Sequence, residues 1–180
     1  MLNIGLEEII NAVMFDLRGK LRTSQDDQGH TLTGKLRDSI DYTTTKGNGI
    51  ITAKMEMENY GVFVEFGVKA NRIPFSGRSG KGGKSQYIQG LISFFEKRGL
   101  SGREAVGAAF ATAQVHAREG MPSRASARFS KTGERTGFIK TVLDNEVKGI
   151  SDRIEKEFGI KIQFLFAETF KGFENLILQQ

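Results

Sequence analysis

Few residues in this 180-residue chain are equipped for covalent or proton-transfer chemistry. There is no cysteine, which excludes disulfides and thiol catalysis, and two histidines are too few for a structural zinc site. His30 and His116 are far apart in sequence, no serine sits in a nucleophile elbow, and no His-Glu-x-x-His spacing occurs. Gly83-Lys84-Ser85 matches the end of a phosphate-binding P-loop. That motif needs a glycine five positions earlier, where Arg78 stands, and a buried strand leading in, where Ile73-Pro74-Phe75 is brief and carries a proline. One acid remains of interest. Glu65 is set among Tyr60, Val62, Phe63, Val64 and Phe66, and burial beside aromatics can raise a carboxyl pKa, as in general acids. A single acid without a second acid or base is not an active site, so Glu65 is expected to meet an arginine or a backbone amide, in its own subunit or the next. The residues thus predict no enzyme, no cofactor and no metal.

The stretch around Glu65, Asn59–Gly67, fits two periods. With period 3.6, Tyr60, Phe63, Val64 and Gly67 share a face, as in a short helical turn; with period 2, Val62, Val64 and Phe66 share one, as in a strand. Either way, composition alone reads it as an amphipathic core segment with a solvated glutamate.

The elements that must position this stretch follow from patterning. Leu6, Ile9, Ile10, Val13, Leu17 and Leu21 predict a helix over residues 4–22, with Asn3 as N-cap and Glu7 and Glu8 at its positive end. Thr23–Thr33 is polar and reads as a mobile loop with a solvated His30. Strands are predicted over Asp41–Lys46 and Ile50–Met57 around Lys46-Gly47-Asn48-Gly49. In the second, Ile51, Ala53, Met55 and Met57 alternate with Thr52, Lys54, Glu56 and Glu58, the pattern of an antiparallel sheet wet on one side. A glycine-rich loop, Val68–Gln86, precedes a helix over Tyr87–Arg98 that Gly99 stops. Ser101-Gly102-Arg103-Glu104 reads as a capping box for the next helix, whose inner face holds Val106, Ala109, Phe110, Ala113 and Ala117, with His116 at the surface or satisfied. Ile139, Leu143, Val147, Ile150, Ile154 and Phe158 mark a long helix. Ile160–Phe166 alternates as a final strand, before an apolar tail with Phe170, Phe173, Leu176, Ile177 and Leu178. These elements make one α+β domain over 1–180, an antiparallel sheet with a central hairpin packed against several helices, with a C-terminal extension at 159–180.

The formal charge of +5 is concentrated locally. Between Gly67 and Phe95 there is no acid, against Lys69, Arg72, Arg78, Lys81 and Lys84; Met121–Arg135 is a second basic stretch, with Arg124, Arg128, Lys131 and Arg135 against Glu134. Such loops are either solvated or suited to nucleic acid or an acidic surface. No run approaches the ~18 apolar residues of a membrane span, and the N-terminus lacks a signal-peptide pattern. A soluble protein made in a reducing cytoplasm, with no membrane partner, is expected.

The order of these motifs resembles a known family. Thr33-Gly34-Lys35-Leu36-Arg37-Asp38-Ser39-Ile40, then a hairpin, then Tyr60-Gly61-Val62-Phe63-Val64-Glu65-Phe66-Gly67 is similar to the tail-completion and head–tail joining (neck) proteins of tailed bacteriophages. There a Thr-Gly-x-Leu-x-x-Ser-Ile segment leads through a hairpin into Tyr-x-x-x-Val-Glu-Phe-Gly. The resemblance covers Leu32 to Phe75 and extends loosely to Glu119; Val68 stands where the family usually has threonine. It implies a virion structural protein, made in the host cytoplasm and located at the head–tail interface or tail. Subunits would form a hexameric or dodecameric ring with other neck, connector and tail-tube proteins, and DNA would pass through the lumen. Tyr60, Phe63, Val64, Glu65, Phe66 and Gly67 become the assembly signature. Lys69, Arg72, Arg78, Lys81 and Lys84 become contacts with a partner or, non-specifically, with DNA in the channel. The alternative is a basic nucleic-acid-binding module without catalytic activity, against which stands the scarcity of aromatics in the basic loops, Phe75 and Phe129 at most.

Overall fold

The computed structural model describes residues 5–48, 50–77 and 85–158. The chain folds as α1 (Leu6–Asp27), α2 (Lys35–Ser39), β1 (Asp41–Gly47), β2 (Ile50–Glu56), α3 (Gly61–Phe66), a 3₁₀ turn (Ala70–Arg72), α4 (Gln86–Lys97), α5 (Gly102–Glu119), a 3₁₀ helix (Arg124–Phe129) and α6 (Phe138–Phe158). This is an α+β fold, with the hairpin β1–β2 packed against helices. Its register pairs Asp41 with Glu56, Thr44 with Ala53 and Gly47 with Ile50. The predicted strand Ile160–Phe166 and the apolar tail lie outside the described residues, as does Asn3; Gly5 caps α1.

The apolar stripe of α1 explains the main layer. Met14, Leu17 and Leu21 bury between the hairpin and α6, against Ile40, Phe138, Ile139 and Val142, with Tyr42, Ala53 and Met55 arriving from the sheet. Alternation along β2 puts Ile51, Ala53 and Met55 on the half-buried side, with Thr52, Lys54 and Glu56 exposed. α6 runs antiparallel to α1: Ser24 Oγ donates to the Phe138 carbonyl at 3.1 Å, and Lys20 Nζ meets Glu146 at 2.5 Å. A second apolar layer joins α4 and α5, where Ile88, Ala105, Ala109 and Ala113 are buried and Phe75 meets Phe110 edge-on at 6.2 Å. The alanines permit close helix approach, as their spacing predicts, but Ala105 takes the inner position and Val106 is 39% exposed.

Three local expectations are corrected. α1 continues to Asp27, so Thr23–Asp27 is helix rather than loop, because Gln25 and Gln28 turn inward; Gln28 Nε2 donates to the Thr136 carbonyl at 2.9 Å. His30 is half-buried, its Nε2 3.0 Å from the Arg135 carbonyl. Ser101 does cap α5, but its side chain makes no capping bond, so the reciprocal box with Glu104 does not form.

Candidate assembly surface

α3 is a helix of six residues with an unusual distribution of polarity. Its buried positions are Gly61 and Glu65, while Tyr60, Phe63 and Phe66 are 39%, 51% and 39% exposed. The expected polarity is inverted: the acid points inward and the aromatics outward. Val64 alone of the branched residues reaches the main core.

The reason lies at the start of α6. A helix N-terminus presents amide groups with no intrahelical partner, ordinarily met by the side chain of the capping residue. Gly137 precedes α6 and has no side chain to offer. Glu65 takes its place: Oε2 accepts the Ile139 amide at 2.8 Å, Oε1 accepts the Lys140 amide at 3.1 Å, and the Glu65 carbonyl accepts the Gly137 amide at 2.8 Å. Both carboxylate oxygens face N–H donors, which fits the ionised form; the positive end of the helix dipole adds to the attraction. Burial pushes the Glu65 carboxyl above its ordinary range, and the two amides and the Lys140 ammonium pull against that rise. The acid thus meets backbone amides of its own chain, one of the two expected alternatives.

The remaining signature residues fix α3 at its ends. A Cβ on Gly61 would fall 2.8 Å from Met57 Sδ and 3.1 Å from Leu36, so the glycine lets α3 lie directly on the side chain of Leu36, itself buried in α2. Ser39 Oγ closes the same corner, donating to the Leu36 carbonyl and accepting the Glu58 amide. The two motifs are therefore packed on one another. At the other end Gly67 has φ 71°, and a Cβ there would come within 2.5 Å of the Met121 carbonyl oxygen. Val68 pairs with Met121 in an isolated antiparallel bridge, Val68 N to Met121 O at 2.6 Å and Met121 N to Val68 O at 2.8 Å. That bridge ties the signature to the end of α5.

Among the basic residues, Lys69 is exposed and precedes the 3₁₀ turn, and Arg72 is half-buried at its end. Arg78, Lys81 and Lys84 lie outside the described residues. Ser85, the last residue of the P-loop-like triplet, caps α4, its Oγ accepting the Ile88 amide at 3.3 Å. His116 is satisfied by the Tyr87 hydroxyl, 2.8 Å from Nδ1. Sequence reasoning missed the outward turn of Phe63, because periodicity assigns aromatics to cores. No local signal marked Glu65 as the acid that meets the start of α6, 74 positions later.

Among the described residues no helix is long and apolar enough to cross a membrane. The chain matches no protein-family model, no curated protein and no solved structure.

Proposed function

We propose that this protein is a virion structural component of a tailed bacteriophage, forming a ring at the neck or upper tail that joins connector to tail and lets DNA pass. The observation that carries this reading is the outward face of α3. Tyr60 and Phe63 project from a helix whose acid is committed inward, so the segment is held rigidly while its aromatics stay available. Aromatic side chains on rigid supports are the usual anchors of protein interfaces. The packing of Leu36 on Gly61 adds support, because the motifs that resemble the neck family form one structural unit.

Native mass measurement of the purified protein, alone and mixed with the products of neighbouring genes, tests the proposal. A hexamer or dodecamer, lost in Phe63→Asp with helical content retained, is the expected result. A monomer under every condition, including with those neighbours, overturns it.

A further inference from the structure

Beside the C-terminal end of α1 lies a group of arginines that the assembly surface does not use. Arg135 comes up under Gly29, its Nη1 3.1 Å from where a Cβ would sit, and its Nε and Nη1 are buried with no hydrogen-bond partner. A guanidinium stays charged at any physiological pH, so Arg135 adds positive charge to this group. Arg98 worsens the position: with burial, its charge lowers the affinity of Arg135 for its proton, and no carboxylate offsets it. The end of α1 supplies only partial negative charge. Among the described residues, Arg98, Arg128 and Arg135 form no ion pair, whereas nearby Lys131 is paired with Asp27 at 2.8 Å.

An aromatic ring stands in the same group. Phe129 is 49% exposed, with the guanidinium carbon of Arg128 4.8 Å and that of Arg98 5.5 Å from its centroid; Arg98 also lies 4.8 Å from the Phe94 centroid. Guanidinium groups held against rings keep their N–H edges free for oxyanions. An acidic protein segment would answer the charge but leave the ring uncovered. A nucleotide brings both an anion and a flat face, the combination that cationic grooves with aromatic platforms exploit.

We propose that Arg98 and Arg128, both held against the Phe129 ring, bind the phosphate backbone of nucleic acid without reading sequence, with Arg135 adding positive charge beside them. Nucleic acid would then lie against the end of α4 and the 3₁₀ helix Arg124–Phe129 rather than against Lys69 and Arg72. This inference does not depend on ring formation, since Tyr60 and Phe63 lie on a different element.

The test is fluorescence anisotropy of the full chain with a labelled oligo(dT) at several salt concentrations, with poly-glutamate as a second probe and thermal unfolding as a check on the fold. Arg98→Gln/Arg128→Gln should weaken oligo(dT) binding at least about tenfold and flatten the slope of log K against log salt by roughly 0.7 for each phosphate no longer neutralised. Lys69→Gln/Arg72→Gln should stay within about twofold of the unaltered chain. Phe129→Ala should weaken oligo(dT) more than a duplex of equal length. Three results overturn the proposal: unchanged affinity in Arg98→Gln/Arg128→Gln, no binding of oligo(dT) at low salt, or binding of poly-glutamate in its place.

Discussion

Glu65 accepts the backbone amide of Ile139, 74 positions further along the sequence, and so caps a helix that begins long after its own has ended. The interaction is buried and doubled by the Lys140 amide, which separates it from a surface ion pair. Glu65→Ala strands two amides, that of Ile139 buried and that of Lys140 partly so. With hydrogen bonds to charged groups worth ~1.5–3 kcal/mol each and non-additive, the expected loss is roughly 3 kcal/mol. Glu65→Gln keeps one acceptor but turns an NH₂ toward the second amide, so it should fall between the two. Urea unfolding of the three proteins checks the order; equal midpoints for Glu65→Ala and the unaltered chain would refute the cap.

Much of the frame was legible because it rests on period. The stripe Leu6–Leu21 located α1, the alternation of Ile51–Met57 located β2, and the Gly99 stop placed the boundary between α4 and α5. Less legible were elements whose reason lies far away in the chain. Thr23–Gln28 looks like loop because Ser24, Asp27 and Gln28 find partners at Phe138, Ser130–Lys131 and Thr136, over a hundred positions later. α3 defied patterning for the same reason: a buried carboxylate needs a partner that no local window contains. Phe129 counted for little in the sequence, and only the approach of Arg98 from another element gives it a setting.

Truncation at the outward face of α3 should separate folding from assembly. Phe63 is half exposed, so the ~3–5 kcal/mol of a buried phenylalanine does not apply; Phe63→Ala is expected to change stability by no more than about 0.5–1 kcal/mol. The sequence reading of this stretch as an amphipathic core segment does not hold for Phe63, whose ring is 51% exposed. Tyr60→Ala/Phe63→Ala should unfold at nearly the same urea concentration yet run smaller in sedimentation than the unaltered chain. A folding defect equal to that of Glu65→Ala would place these rings in the core instead.

Two glycines with positive φ should respond differently to alanine. Gly67 has φ 71° with ψ −173°, an extended positive-φ conformation that is essentially glycine's alone, and Gly133 has φ 79°, so each substitution incurs a backbone penalty, of roughly 1–3 kcal/mol at Gly67. At Gly133 the new methyl meets open space. At Gly67 it would lie 2.5 Å from the Met121 carbonyl oxygen, so the Val68–Met121 bridge must part. Gly67→Ala should therefore cost clearly more than Gly133→Ala, by about 2 kcal/mol, with increased hydrogen exchange at the Val68 and Met121 amides. Equal destabilisation of the two variants would show that the close approach has no energetic consequence.

Acid should destabilise the protein well above the range in which carboxylates titrate. Burial holds the His30 imidazole below its ordinary pKa of 6.5, helped by the Arg135 charge and opposed by the hydrogen bond to the Arg135 carbonyl. Burial likewise lowers His116, against the pull of Glu119. Each folded pKa lies below the unfolded one, so in that interval the unfolded chain binds more protons. Stability from these groups is complete above about pH 6.5 and is lost as pH falls through the folded values. Glu65 acts in the opposite sense and lower: its pKa is raised above 4.5, so the folded state binds the extra proton and gains relative stability as pH drops through that window. The expected profile of unfolding midpoint against pH is flat above about 7 and begins to decline near 6.5, before Asp and Glu protonate. His30→Gln isolates the first contribution, because a glutamine amide can still donate to the Arg135 carbonyl without titrating. That variant should keep its midpoint at about pH 8 and lose part of the decline between roughly pH 6.5 and 5. A decline of unchanged size in His30→Gln would mean that His30 is not the buried neutral base its contacts describe.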